Sequence, residues 1–384
     1  MLGEFLLGVL AGTVTGATPG LHVNTVASMV HALNKFKGFG FVIFVYTMGL
    51  IHTFLDPIPS TFFGVPDEDT LLSVLPAHKL VLKGRALEVI NISLKASSLA
   101  VIFAFLFLPL YFILAPQYNP KIGKCFILFL TILLVLTEKG IKKVVAFFVF
   151  LISGVLGILI DYLPLREPYF HVFVGLFGIP TILYSLYKDS DTIQLGRDTI
   201  EMKTSSLVGF SLLGTFLGMF ASLLPAFTSS QAALMGSFIS KDERSFLTIS
   251  FSVNTANFFF SLFNFYITGR ARNGIMVVIR DSYYNLSSKE VLILILLSIS
   301  AVSFVNIYGL KLAKIFGILV SSVNYRILNL FVMMFMVSLS FYFDGWIGIL
   351  VLMTASLIGL FPLLLGVKRT NCMGVLMVKI MIKN

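Results

Sequence analysis

LLGVLAGTVTGATPG (residues 6–20) and LLGTFLGMFASLLPA (residues 212–226) follow one plan. Leu6, Leu7, Gly8, Gly12 and Pro19 recur as Leu212, Leu213, Gly214, Gly218 and Pro225, each displaced by 206 positions. Met29 and Met235 keep that register, as do Lys35 and Lys241. Glycines four apart give a helix a smooth face that another helix can approach closely. The proline that follows cannot donate to the helix ladder and clashes with the preceding turn, so the helix is expected to break there. Inside a bilayer such a break is tolerated only within protein or beside a water-filled cavity. Matching interruptions in two halves of a chain point to a transporter's binding site. The plainer alternative is a pair of proline-kinked helices that match by chance in apolar sequence.

Composition places these stretches in a membrane. Of the 384 residues 57% are hydrophobic and only 12% charged, against about 25% charged in soluble domains. The mean hydropathy is +0.96. So little charge cannot cover a water-facing surface, whereas a lipid-facing surface needs none. Runs such as 39–55, 97–116 and 144–160 are nearly uncharged, and crossing a hydrocarbon core takes roughly 20 helical residues. Cutting the chain at its charged clusters gives about ten such segments. The runs lack the alternation of barrel strands. The expected fold class is therefore an all-α polytopic membrane protein in two related repeats. The first repeat is read over 1–168 and the second over 205–384, with a connecting segment at 169–204 that either spans or re-enters.

The net charge of +10 does not point to nucleic acid. The basic residues cluster between apolar runs, at Lys79, Lys83 and Arg85, at Lys139, Lys142 and Lys143, and at Lys311 and Lys314, as loop anchors do. Cys125 and Cys372 have no metal or disulfide spacing. No nucleophile–base pair, phosphate loop or zinc set is present, so neither an enzyme nor a cofactor is expected. Glu4 replaces the cationic start of a cleavable leader, and the first apolar stretch is read as the first membrane element.

Each half carries further interruptions. The run from Phe39 meets Asp56-Pro57-Ile58-Pro59 and then Gly64-Val65-Pro66-Asp67-Glu68-Asp69, while the run ending at Thr268 meets Gly269-Arg270-Ala271-Arg272-Asn273-Gly274. Ser250, Asn254, Asn257, Ser261, Asn264 and Thr268 are spaced four, three, four, three and four. On a helix they fall within an arc of roughly 80°, a polar stripe facing either a hydrated path or a seam with another helix. His52 and Asp56 share one helical face. An ionisable pair inside a membrane segment is expensive and usually functional, so these two are the candidates for a coupling cation, Na+ or H+. The alternative is a capping pair near the aqueous boundary. The candidates for holding an anionic group flank the two breaks: Gly16, Pro19, Gly20, His22, Asn24 and Thr25 in the first half, and Pro225, Thr228, Ser229, Ser230 and Gln231 in the second. Freed amides at a half-helix N-terminus favour anions. Asn254, Asn257 and Asn264 join the set through the stripe, and Arg270 and Arg272 through charge-assisted contacts. Tyr342, Phe343 and Trp346 flank Asp344-Gly345 as an interfacial anchor around a turn.

Four stretches resemble the large membrane subunit of the tripartite tricarboxylate transporters. Gly12-x3-Gly16-x2-Pro19-Gly20-Leu21 is similar to that family's Gly-rich Pro-Gly motif. Phe63-Gly64-Val65-Pro66 through Lys83-Gly84-Arg85-Ala86-Leu87-Glu88 is similar to its Pro-Gly loop and Lys-Gly-Arg-Ala segment. Val174-Gly175-Leu176-Phe177-Gly178-Ile179-Pro180 and Cys372-Met373-Gly374-Val375-Leu376 resemble its central and terminal motifs. The resemblance implies an ion-coupled secondary carrier of organic acids in a prokaryotic plasma membrane. It also implies two partners, a small membrane subunit and an extracytoplasmic solute-binding protein. The chain is shorter than that family's typical members, and its second-half loop has Arg270 and Arg272 where the proline would be. Two other readings stay open: a polyprenyl-phosphate flippase, whose site would open sideways to lipid, and a non-transporting scaffold with a dry interior.

Overall fold

The computed structural model describes residues 1–19, 23–32, 38–65, 69–117, 120–187, 195–224, 228–240, 242–283 and 285–382. It is helical, with no strand among the described residues. Among the described residues, seven helices are long and apolar enough to cross a membrane by length and composition.

The doubled motif forms the two breaks expected of it. Helix α1 (Leu2–Ala17) stops with Thr18 extended, and α2 (Val23–Ala32) resumes after it. Helix α11 (Thr204–Leu223) stops with Leu224 extended, and α12 (Ser229–Gly236) resumes. Each first arm lies along a long buried helix. Helix α1 packs on α3 (Phe39–Leu55), where a Cβ added at Gly12 would sit 2.5 Å from the Met48 carbonyl oxygen. Helix α11 packs on α13 (Glu243–Thr268), where a Cβ added at Gly218 would sit 2.6 Å from that of Val253. Such contacts admit only glycine, so backbone meets backbone.

The expected interruption at Asp56-Pro57-Ile58-Pro59 is not a break. Asp56 keeps helical angles and its N–H reaches the His52 carbonyl at 2.8 Å, so α3 runs on through α4 (Pro57–Phe63) to a left-handed stop at Gly64. Proline's fixed φ is helical. What the two prolines remove is the N–H each would have given to the carbonyl four residues back. Of the 64–69 interruption, Pro66, Asp67 and Glu68 lie outside the described residues. The later interruption stands, with α13 ending at Thr268 and α14 (Gly274–Ser282) starting anew.

The most apolar stretches of the combined helix 39–63 and of α13 are 94% buried, whereas those of α6 (Ala86–Leu114) and α15 (Ser288–Ser321) are 28% buried. The less apolar of these stretches thus lie inside, and the more apolar ones lie outside. Here α5 is Val74–Leu82, α7 is Pro120–Leu136 and α8 is Lys142–Leu159. α9 (Pro168–Phe173) continues through a π turn at Val174–Gly178 into α10 (Ile179–Tyr187).

Helix α16 (Tyr325–Leu365) is two arms. Asp344 and Gly345 leave helical geometry, and a Cβ on Gly348 would lie 2.7 Å from the Ser340 carbonyl oxygen. In an uninterrupted helix those residues would be about 12 Å apart, so the chain folds back at the turn expected from its aromatic flanks. Trp346 and Tyr342 are exposed there. The two short closing segments dock crosswise. Gly175 and Leu176 press against Ala355 and Gly359 of α16, while Gly374 and Val375 of α17 (Gly374–Ile382) press against Phe150 and Gly157 of α8. The acid at each turn does the same: Asp344 accepts from the Arg166 and Glu167 amides, and Glu138 accepts from the Lys368 amide.

Candidate functional site

A cavity with several polar side chains opens between α2, the α3–α4 helix, α13 and the start of α14. Its lining is Val23 and Asn24 of α2, His52, Thr53 and Asp56 of the α3–α4 helix, Asp69, Asn254, Asn257 and Phe258 of α13, and Asn273 and Ile275 at the start of α14. The centre of a water-sized guest has about 20 Å³ to move in, enough for roughly one or two waters or a monatomic ion. Among the described residues, no lysine or arginine belongs to this lining.

Local structure explains how each group arrives. Asp56 is placed by the helix that the prolines do not break, and it is 3% exposed. Asn254 Nδ2 donates to Asp56 Oδ2 at 3.0 Å, which ties α13 to α3. One turn on, Asn257 Nδ2 donates to Ser229 Oγ at 2.8 Å, which ties α13 to the first residue of α12. Asn24 Oδ1 accepts from the Ile275 amide at 3.1 Å, and Asn273 Oδ1 accepts from the Met276 amide at 2.8 Å, so two asparagines satisfy the N-terminus of α14. His52 Nδ1 lies 3.2 Å from Thr15 Oγ1. Gly16 brings α1 against the backbone of His52 and the Cβ of Leu55. Pro57 has no N–H, which leaves the Thr53 carbonyl without its helical donor.

The cavity therefore gathers Asn24, His52, Asp56, Asn254 and Asn257 of the expected residues, with Ser229 bonded to Asn257. Other expected residues have structural partners. Asn264 Nδ2 donates to the Ser222 carbonyl at 2.7 Å, and Arg272 donates to the Ala221 carbonyl at 3.1 Å and to that of Leu224. Both satisfy the broken end of α11. Arg270 is exposed. Thr228 and Gln231 form a reciprocal capping box at the start of α12. Ser230 is buried, and Pro19 closes the turn after α1. Gly20, His22 and Pro225 lie outside the described residues, as does the side chain of Thr25. The polar stripe is thus partly a seam and partly cavity wall.

Thr53, Asp69 and Asn273 join the lining without having been anticipated. For Asn273 the signal was present: an asparagine directly before the glycine that opens a helix reads as an N-cap. Three buried polar clusters elsewhere were also not foreseen. Glu88 is fully buried between Arg85 and Arg244 and accepts from the Glu201 amide. His171 bridges Ser340 and Asp344 at 2.8 and 2.7 Å. Arg369 donates to Thr181 and to the Leu176 and Phe177 carbonyls of the π turn.

Residues 2–374 match the family model described as the tripartite tricarboxylate transporter TctA family. The uncharacterized protein MJ1079 of Methanocaldococcus jannaschii is 29% identical over 390 residues, an alignment that covers 97% of this chain and 96% of that protein. No solved structure matches the chain.

Proposed function

The chain belongs to the tripartite tricarboxylate transporter TctA family and is thus a multi-pass component of a membrane transporter; from that premise we propose that it is an ion-coupled secondary carrier of a small organic carboxylate. The observation that carries the reading is Asp56: a buried carboxylate hydrogen-bonded to Asn254, in a cavity between α2, the α3–α4 helix, α13 and α14. An ionisable group inside a membrane segment is expensive to bury and is usually functional. The ion-sized cavity suits the coupling ion, and the substrate site is the neighbouring space between the break tips, which widens as the halves rock apart.

The repeat reading draws support from element positions. A shift of 206 carries the end of α1 onto that of α11 and the start of α2 onto that of α12. It also brings α6 over α15, and α7 with α8 over the two arms of α16. The crosswise docking of α9–α10 and α17 is what a two-fold exchange of closing segments between 1–168 and 205–384 would leave. In this reading 169–204 is part of that exchange as well as a connector. The family's systems have further subunits, so the carrier works with a small membrane subunit and a solute-binding protein. Its place is the cell membrane.

Uptake by proteoliposomes tests the function. A panel of radiolabelled mono-, di- and tricarboxylates is offered under imposed Na+ or pH gradients, with and without candidate partner subunits. Concentrative uptake of one carboxylate class is the expected result. Uptake of none, with a phosphorylated isoprenoid copurifying instead, would favour the flippase.

A further inference from the structure

The turn between α7 and α8 concentrates positive charge beside an apolar wall. Lys139, Lys142 and Lys143 lie in it, and Lys368 joins them just past the end of α16. Lys142 Nζ donates to the Gly366 carbonyl at 2.9 Å, at the left-handed residue that stops α16. Lys368 Nζ donates to Thr137 Oγ1 at 3.2 Å and lies over the Phe238 ring. Two ammoniums are thus fixed at the seam between α8 and α16, each by neutral groups. Lys139 and Lys143 are exposed. Among the described residues neither has a polar partner, and none of the four lysines is ion-paired. The one acid of the turn, Glu138, is buried and accepts from the Lys368 amide at 2.8 Å. Ile141, between the lysines, is 77% exposed. From there Val144, Phe148, Leu151 and Val155 are exposed at spacings of four, three and four, one apolar face of α8.

We propose that this seam binds an anionic phospholipid, its phosphate held by the lysine cluster and an acyl chain laid along the apolar face of α8. Basic clusters at the ends of membrane helices attract anionic headgroups electrostatically. Four ammoniums without a carboxylate partner favour a headgroup of net negative charge. A zwitterionic head would bring its own ammonium against them. A soluble phosphate would meet the same charges but leave Ile141, Val144 and Phe148 uncovered. None of these residues lines the Asp56 cavity, so the lipid site holds whatever the carrier transports. Helix α8 belongs to 1–168 and α16 to 205–384, so a bound headgroup braces the two halves of the chain where Lys142 already joins them.

The test is thermal unfolding of the purified full chain in mixed micelles, titrated with phosphatidylglycerol or with phosphatidylcholine. A ligand that binds the native state raises the melting temperature in proportion to the logarithm of its concentration over its dissociation constant. The expected result is a rise with phosphatidylglycerol that phosphatidylcholine does not match. Lys139→Gln with Lys143→Gln should melt as wild type does in phosphatidylcholine, because neither side chain holds another described residue. The pair should weaken the apparent affinity for phosphatidylglycerol about fivefold for each lysine removed. Lys139→Arg with Lys143→Arg should keep it. Lys203→Gln with Lys289→Gln, which removes the same charge elsewhere, should leave it unchanged. Equal rises with the two lipids, or glutamine variants that titrate as wild type does, overturn the site. An equal loss in the Lys203 and Lys289 variants does so too, since it would reflect total charge alone. Glycerol phosphate that matches the lipid's effect at the same concentration overturns the lipid as the ligand.

Discussion

Glycine-to-alanine substitutions at three positions should give stability changes of opposite sign. At Gly12 the new methyl would meet the Met48 carbonyl oxygen at 2.5 Å and Ile51 Cβ at 2.8 Å; at Gly218 it would meet the Val253 carbonyl oxygen at 2.6 Å and Ala256 Cβ at 2.7 Å. Ordinary contact begins near 3.4 Å, so each helix pair must part by nearly 1 Å, and overpacking of this kind costs about 1–3 kcal/mol. Gly209 sits on α11 with nothing within 4 Å of the added carbon. There the methyl only restricts the unfolded chain and gains about 0.5–1 kcal/mol. Equilibrium unfolding in mixed micelles, followed by far-ultraviolet circular dichroism, should separate Gly12→Ala and Gly218→Ala from Gly209→Ala by roughly 1.5–4 kcal/mol. Uptake should fall in the first two, because these glycines hold the arms whose ends form the breaks. If all three variants unfold together, backbone-to-backbone packing is not what sets the break positions.

Arg272→Gln removes charged donors to the end of α11 and should cost about 1.5–3 kcal/mol in the same unfolding assay. Thr228→Ala opens the α12 capping box and should cost about 1 kcal/mol. Glu88→Gln leaves Arg85 and Arg244 only the exposed Glu201 as counter-charge, and about 1–3 kcal/mol should be lost. The Lys314 hydrogen bond holds the Asp198 carboxyl below its ordinary value. A lowered carboxylate stabilises the fold above its unfolded pKa, and that contribution disappears as pH falls through the folded value. The segment 195–203 should therefore become more protease-sensitive only in acid, and Asp198→Asn should abolish that dependence.

The legible part of the fold was the part written in spacing. Gly8, Gly12 and Pro19 with their partners 206 positions on announced both breaks, because close packing needs glycine and proline withholds a donor from the ladder. The stripe from Ser250 to Thr268 announced a buried polar face. Its division of labour was hidden, since Asn254 meets Asp56 and Asn264 meets a main-chain carbonyl for reasons of tertiary placement alone. Asp56-Pro57 misled because local sequence shows the lost N–H but not the surrounding protein that keeps the helix in line. Arg272 read as a substrate-facing charge, yet the nearest acceptors are the carbonyls that α11 itself leaves open. Glu88, His171 and Arg369 gave no local signal, for their partners lie at least 150 residues away in at least one contact.

On the proposed mechanism the Asp56 carboxylate is the group that binds and releases the driving ion. Its most direct test is Asp56→Asn in proteoliposomes, with gradient-driven net uptake and substrate exchange measured on the same preparation. Loss of concentrative uptake with exchange retained is the predicted result. Concentrative uptake that keeps the wild-type dependence on the ion gradient would contradict it.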